Sequence, residues 1–363
     1  MKQFYPLSTF LTEYSEKNGG NTYRPVAVGR YGIRTRESIY SKELAKDYSK
    51  NKLIHKNTLT VGMGSVQIDI GVLTDDITYS VSPAYHTYKI AGVNAEYLRY
   101  CLECRNQDMF SRFVKRGSRQ GKTIDLKRWL TYEIPVYDEN RQQEIVDRLN
   151  RISALIEKRQ EQLVQLSELV KSRFIELFGV YPSNPKGWET ATIRDIVADV
   201  RYGSSRPAVD GDKYPYLRMN NITYGGELDL TDTKRIDIPD NELDKCTVRR
   251  GDVLFNRTNS KELVGKTCVY NRDEMMVLAG FVIRVRVTER VLPEFLSAFL
   301  NTDFSKQMLL GMCKAAIGQA NINAQEMQNI GIYLPPTELQ RQFVQFKEQT
   351  DKSKLCDEMG VAA

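Results

Sequence analysis

The feature that most constrains this chain is an internal repeat. When the 363-residue sequence is slid against itself, matches appear at an offset close to 198. The clearest match places residues 134–146 on residues 332–344, and it superimposes Gln142 on Gln340. Repeats of this length are too large for a solenoid, so the sequence predicts two copies of one globular unit.

Other segments repeat in the same order along the chain. The matched pairs are residues 96–98 with 294–296, 123–125 with 321–323, 80–90 with 277–287 and 53–61 with 247–255. Hydrophobic residues make up 41% of the chain, which is enough for two cores. Each unit is predicted to be an α+β domain of short strands and a few helices, closed by a short strand and a helix.

A long helix is predicted directly after the first unit. Its seam alternates by four and three residues and is apolar at all but two positions: Ile145, Leu149, Ile152, Ile156, Arg159, Leu163, Leu166, Val170, Arg173 and Leu177. This spacing over more than four heptads predicts a coiled coil, which Gly179 and Pro182 end. The alternative is an amphipathic helix that lies on a domain.

The second copy of this helix begins after Pro335 and Pro336 and is less apolar. Lys347, Thr350 and Lys354 occupy the positions that Leu149, Ile152 and Ile156 hold in the first copy. We therefore expect a shorter second arm, and another chain covering part of the first seam. The predicted segments are a first domain at 1–137, a spacer helix at 138–180, a second domain at 184–336, and a short helix and tail at 337–363.

Basic charge is concentrated in the first unit. The net charge of the chain is +6, yet residues 1–137 alone carry an excess of eight basic side chains, while residues 184–336 contain 20 basic and 20 acidic side chains. A basic excess favours a polyanionic partner, because neutralising phosphates releases counterions. The excess alone is weak support, since many solvated surfaces reach it.

Membrane, secreted and metal-dependent proteins fit the sequence poorly. The longest apolar run, near residues 277–283, is far shorter than a membrane span, and no secretory leader is visible, so we expect a cytoplasmic protein. Cys101 and Cys104 have a metal-like spacing, but the chain has only two histidines and no second close cysteine pair. A phosphate-binding loop and an amino-methyltransferase signature are both absent from the sequence.

With these features, the whole chain resembles the specificity subunits of type I restriction-modification systems. The repeated strand, glutamine-bearing turn and helix carry the resemblance, together with landmarks at residues 185–189, 203–207, 257–260, 264–266 and 319–323. The resemblance implies two target recognition domains, each reading one half of a bipartite DNA site. It also implies two helices that pair antiparallel as a spacer.

The resemblance further implies a subunit without catalysis or a cofactor of its own. Its partners would be double-stranded DNA, methyltransferase subunits and a translocase-nuclease restriction subunit, which would use S-adenosylmethionine, ATP and Mg²⁺. A second specificity chain is a further expected partner, through the coiled coil. The alternative function is a coiled-coil interaction protein whose globular domains bind protein or RNA without DNA sequence specificity.

The candidate DNA contacts are basic and amide side chains in segments without clear periodicity. In the first unit they are Arg24, Arg30, Arg34 and Arg36, and the basic segment Lys115, Arg116, Arg119 and Lys122. In the second unit they are Arg201, Arg206, Arg218, Asn220, Asn221, Asn256 and Arg257. Arginine and asparagine reach base edges bidentately, whereas lysines beside glycines suit phosphates. A solvated basic loop, and turn roles for Asn220 and Asn221, remain the alternatives.

Overall fold

The computed structural model describes residues 2–20, 23–39, 47–117, 121–206, 211–313 and 320–361. The chain forms two compact units, Met1–Glu157 and Lys158–Ala363. The division between them falls inside the long helix that follows the first repeat. The first part of this helix therefore belongs to the first compact unit and the rest to the second, whereas the sequence predicts it as a separate spacer segment.

The first unit consists of two four-stranded sheets, two small strand pairs and helices. Its strands are β1 (Gln3–Pro6), β2 (Leu11–Tyr14), β3 (Pro25–Gly29), β4 (Gly32–Thr35), β5 (Lys52–Ile54), β6 (Thr58–Met63), β7 (Ile68–Leu73), β8 (Tyr79–Val81), β9 (His86–Ile90), β10 (Val114–Gly117), β11 (Gly121–Ile124) and β12 (Glu133–Val136). Its helices are α1 (Ala95–Cys104), α2 (Asn106–Phe113), α3 (Leu126–Trp129) and the start of α4 (Glu139–Phe178).

The strand order within these sheets is β2-β9-β6-β7 and β4-β3-β8-β5. β3 and β8 are parallel, and the other neighbours are antiparallel. The small pairs are β1 with β12 and β10 with β11. β6 and β7 are rich in β-branched residues and almost wholly buried, as strands packed on both faces are.

The second unit repeats this architecture. Its strands are β13 (Glu189–Thr192), β14 (Val197–Tyr202), β15 (Tyr214–Leu217), β16 (Lys234–Ile236), β17 (Thr247–Val248), β18 (Val253–Asn256), β19 (Thr258–Asn259), β20 (Thr267–Val269), β21 (Met276–Leu278), β22 (Val282–Val287), β23 (Ala320–Asn321) and β24 (Gly331–Leu334). Its helices are α5 (Asp240–Cys246), α6 (Pro293–Leu300), α7 (Asp303–Met312), α8 (Ala324–Gln328) and α9 (Thr337–Val361).

Sheet topology confirms the predicted duplication of an α+β fold. The second unit orders its sheets β14-β22-β18-β20 and β16-β15-β21-β17, strand for strand as in the first unit. Its parallel pair, β15 with β21, corresponds to β3 with β8. β13 pairs with β24 as β1 pairs with β12, so each unit is closed by a strand that leads directly into a helix.

One buried glutamine in each unit makes the same hydrogen bonds. Gln142 Oε1 accepts from the backbone N–H of Asn94 at 2.9 Å, and Gln340 Oε1 accepts from that of Leu292 at 2.8 Å. Their Nε2 atoms donate to the carbonyls of Tyr137 at 2.7 Å and Pro335 at 2.8 Å. Each glutamine, which lies in the first turns of α4 or α9, therefore ties its helix to the end of the preceding strand and to the N-cap residue of α1 or α6. This shared role explains why the glutamine is repeated.

Replacing Gln340 with leucine is expected to lower the free energy of unfolding of the second unit by about 3 kcal/mol. The substitution leaves a buried N–H and buried carbonyls without partners, each at a cost of about 1–3 kcal/mol. Chemical denaturation followed by circular dichroism measures the change. The matched control is Gln342→Leu on the exposed side of α9. Equal losses in both variants would remove the structural role assigned to Gln340.

Helices α4 and α9 pack together through an aromatic cluster in the second unit. Phe343 of α9 lies 5.3 Å from Phe174 and 5.7 Å from Phe178, measured between ring centroids. Arg173 lies over Phe346, so contacts advance along α9 as they retreat along α4. The predicted antiparallel pairing is therefore confirmed for the end of α4. Farther back on α4, Ile152 and Ile156 are exposed.

Candidate nucleic-acid interface

Arginines of the first unit gather at the tip of the hairpin formed by β3 and β4. Gly29 pairs with Gly32, which leaves Arg30 and Tyr31 as a two-residue turn. Gly32 has a φ of +75°, which glycine adopts without steric cost. The guanidinium groups of Arg30 and Arg34 lie 5.7 and 4.6 Å from the ring centroid of Tyr31, which is 69% exposed. Two cations and an aromatic ring thus face solvent together.

The opposite face of this hairpin is fixed by core packing. Val28 is buried and Ile33 is partly buried in the same apolar cluster. A Cβ atom at Gly71 on β7 would lie 2.6 Å from Ile33 Cγ1 and 2.9 Å from Val28 Cγ1. Glycine at this position therefore lets the two sheets approach closely, and the approach sets where the hairpin tip points.

The other two arginine candidates of the first unit already have contacts. Arg24 forms an ion pair with Glu37, and this interaction lowers the pKa of the Glu37 carboxyl. Arg36 lies over the ring of Tyr48 at 5.3 Å. The structure therefore brings Arg30 and Arg34 together as available cations, while Arg24 and Arg36 contribute to the shape of the loop.

The predicted basic loop of the first unit is instead the end of α2 followed by the hairpin of β10 and β11. Lys115 forms an ion pair of 2.7 Å with Asp125, which lowers the pKa of that carboxyl. Lys122 lies over the ring of Phe110 at 5.2 Å. Arg119, and the side chain of Arg116, lie outside the described residues. Contact with phosphates remains a prediction for this hairpin.

Candidates of the second unit converge on one cavity of about 650 Å³. Arg206, Arg218, Asn220 and Arg257 line it. They come from three separate parts of the chain: the segment after β14, the turn after β15 and the segment after β18. β14 and β18 lie on either side of β22 in one sheet, whereas β15 belongs to the other sheet, so the cavity collects residues that are distant in sequence and come from both sheets.

Carboxylates neutralise most arginines around this cavity. Arg201 pairs with Asp199 at 2.9 Å, Arg206 holds both oxygens of Glu242 at 2.6 and 3.0 Å, and Arg218 pairs with Asp232 at 2.9 Å. These pairs explain how a unit with equal numbers of acidic and basic residues can still carry an arginine-rich surface.

Arg257 differs from the other arginine candidates of this unit. Its guanidinium lies 4.8 Å from the ring centroid of Tyr202, and no carboxylate among the described residues forms an ion pair with it. Its Nε atom is buried and has no hydrogen-bond partner within the described part of the protein. A cation held by ring stacking, with donors to spare, suits recognition of a hydrogen-bond acceptor.

Two asparagine candidates are built into the fold. The Asn221 amide accepts from the backbone N–H of Arg218 at 2.9 Å and donates to the carbonyl of Asp229 at 2.8 Å. Asn256 is fully buried, with its amide donating to the carbonyl of Thr258 at 2.9 Å. Both amides therefore favour a structural role, whereas Asn220 is exposed on the cavity surface.

Sequence reasoning missed two aromatic residues at this cavity. Tyr202 is 43% exposed beneath Arg257, and Phe281 is 53% exposed on the cavity wall. Phe281 lies inside the longest apolar run of the sequence, near residues 277–283, and an apolar run does not indicate an exposed ring. Gly280, the preceding residue, is a sequence cue for a close backbone approach at this point. In the structure a Cβ atom there would lie 2.9 Å from the carbonyl oxygen of Ser204.

Neither a metal cluster nor a membrane-spanning helix occurs in the described ranges. No group of three or more His, Cys, Asp or Glu side chains there is arranged to hold a metal ion. Among the same residues, no helix combines the length and apolarity needed to cross a membrane.

A family model and curated relatives match this chain. The model for the type I restriction modification DNA specificity domain matches twice, at residues 9–166 and 185–356. The EcoKI specificity subunit of Escherichia coli K12 is 23% identical over 60% of this chain and 50% of its own length. A putative MjaX specificity subunit of Methanocaldococcus jannaschii is 28% identical over 46% of this chain and 40% of its own length. The match thus spans about half or less of these relatives.

Solved structures share the fold of the chain. The S subunit of a type I restriction-modification system from M. genitalium aligns with a TM-score of 0.55 and 13% identity, over 100% of this chain and 92% of that one. A chain from a study of complex assembly in the type I system aligns with a TM-score of 0.56 and 17% identity, over 99% of this chain and 94% of that one. At these identities the likeness is one of fold.

Proposed function

The chain belongs to the type I restriction modification DNA specificity family, and from that membership we propose that it selects the DNA sequence on which a restriction-modification complex acts. The observation that carries the proposal is that each unit places at least one arginine beside an exposed aromatic ring. In the first unit these are Arg30 and Arg34 at Tyr31, and in the second they are Arg257 at Tyr202. Arginine reads guanine through two parallel hydrogen bonds, so such surfaces suit base recognition.

The duplicated architecture supports a two-part DNA site. Two copies of one fold in a single chain provide two reading surfaces, much as dimeric DNA-binding proteins use two half-sites. We propose that each unit reads one half and that α4 and α9 set the spacing. The hairpin of β10 and β11 would contact phosphates through Lys115 and Lys122, which positions the duplex without reading it.

Catalysis in this proposal belongs to partner subunits. Methyltransferase subunits would supply the S-adenosylmethionine chemistry on an adenine, and a restriction subunit would supply ATP-driven and Mg²⁺-dependent cleavage. The exposed seam residues Ile152 and Ile156 on α4, with the exposed Leu155 beside them, would provide an apolar docking surface for a modification subunit or a second specificity chain. This chain itself would contribute recognition alone.

Mapping methylated adenines tests the proposal. In cells that express this chain with the modification subunit of its system, we expect methylation at a two-part motif that disappears when the chain is removed. Exchanging Arg30 and Arg34 for alanine is expected to relax one half of the motif and leave the other intact. Stable co-purification without any motif would instead favour a coiled-coil interaction protein that lacks DNA specificity.

A further inference from the structure

A second cavity in the second unit shares no lining residue with the cavity that Arg206, Arg218 and Arg257 line. It has a volume of about 560 Å³, within the range of small-molecule sites, and it lies among α4, α6, α7, α9 and the turn at residues 223–227. We call it the lysine cavity, because Lys171, Lys306, Lys347 and Lys354 line it. DNA recognition as proposed above makes no use of it.

The floor of the lysine cavity is aromatic. Phe174, Phe299, Tyr333 and Phe343 line it and are buried in the core of the unit. They contact one another edge to face, for example Phe299 and Tyr333 with ring centroids 5.6 Å apart. A rigid aromatic floor favours a ligand with a flat or apolar body, because such a body displaces water from apolar surface.

The four lysines differ in how their charge is balanced. Lys171 pairs with Glu168 at 2.8 Å, Lys347 pairs with Asp351, and Lys354 lies 3.6 Å from Glu227. Lys306 has no carboxylate within ion-pair distance in the described part of the chain. Its ammonium donates to the carbonyl of Tyr224 and lies 3.6 Å from the ring centroid of the same residue. One cation therefore lacks an anionic partner.

The surroundings of Lys306 disfavour the charged form of its side chain. Burial, and to a smaller extent the nearby Lys171, lower the pKa of the Lys306 ammonium to about 8, and Asp303 offsets only part of this effect. An anion that enters the cavity would provide the missing negative charge in a partly desolvated place, where charge-assisted hydrogen bonds are strong. Charge and shape thus point to the same kind of ligand.

We propose that the lysine cavity binds a small organic anion with an aromatic or alkyl body, whose acidic group contacts Lys306. The body of the ligand lies on the aromatic floor, and the paired lysines at the rim add a weaker positive field. This site is separate from DNA recognition, so its loss should leave DNA selectivity unchanged.

Fluorescence titration of the full chain with anilinonaphthalene sulfonate tests the proposal. This dye combines an aryl body with one sulfonate, and neutral phenylnaphthylamine has the same body without the charge. We expect Lys306→Met to weaken binding of the sulfonate about tenfold, the loss of one charge-assisted hydrogen bond, and to leave binding of the neutral dye unchanged. Lys234→Met, at an exposed lysine on β16, is the matched control.

A second variant locates the dye. Ala298 on α6 lines the cavity, so Ala298→Trp places an indole inside it and should block binding of both dyes. Circular dichroism and the melting temperature report whether each variant is folded. Equal sulfonate affinity in Lys306→Met and Lys234→Met would overturn the proposal. Undiminished sulfonate binding by folded Ala298→Trp protein would overturn it as well.

Discussion

Phe343→Ala is expected to lower the free energy of unfolding of the second unit by about 3–5 kcal/mol, because truncating a buried phenylalanine leaves a cavity that its neighbours fill only in part. Phe343 is fully buried and contacts Phe174 and Phe178 of α4. Whole domains are stable by only about 5–15 kcal/mol, so the loss is large. Calorimetry should show the transition of the second unit about 10 °C lower.

The matched control is Phe281→Ala in the same unit. Its ring is more than half exposed, so its removal should change the free energy of unfolding by less than about 0.5 kcal/mol. The first unit has its own core around Trp129 and Tyr88 and should keep its transition in both variants. A transition of Phe343→Ala protein at the wild-type temperature would mean that α9 does not depend on α4 for its packing.

The repeat made much of the fold predictable. The match of Gln142 with Gln340 is visible in the sequence, and the structure explains it by hydrogen bonds at the same offset. The long helix also follows from the sequence, because a four-and-three apolar spacing is typical of a helix that packs against another helix. Its antiparallel pairing with the second helix was implied by the family resemblance and not by the spacing.

The details of that helix pairing were not predictable. Phe174 and Phe178 contact Phe343 of α9, yet the predicted seam passes through Arg173 and Leu177 beside them. Near its end α4 packs against the core of a domain as well as against a helix, which widens its buried face beyond the coiled-coil positions. A heptad pattern alone carries no information about that second surface.

The sequence predicts which types of residue form the candidate site, but not which of their side chains are left unpaired for DNA. The sequence identifies Arg206, Arg218 and Arg257 equally, and the structure separates them by their partners. Glu242 lies 36 residues from Arg206, and the two meet only after the sheet has formed. Whether an arginine is free to meet DNA is therefore a property of tertiary structure.

Arg257→Lys is expected to lower discrimination at one base pair of the recognised DNA by about tenfold or more, because a bidentate arginine contact contributes about 1–3 kcal/mol. Lysine keeps the charge but lacks the planar fork that lies on Tyr202. The measurement is competition binding, by the complex of this chain with its modification subunit, of duplexes that differ by single base pairs. The salt dependence of binding should stay near that of the wild type, since the number of neutralised phosphates is unchanged.

Arg250→Lys is the control for Arg257→Lys. Arg250 is an exposed arginine of the same unit that pairs with Asp273 and does not line the cavity in which Arg257 lies. It should leave every base preference intact. The change caused by Arg257→Lys should be confined to the half of the site read by the second unit, because the cations of the first unit at Tyr31 are untouched. If Arg257→Lys keeps the full preference at every position, Arg257 does not read a base, and Asn220 becomes the leading candidate in that cavity.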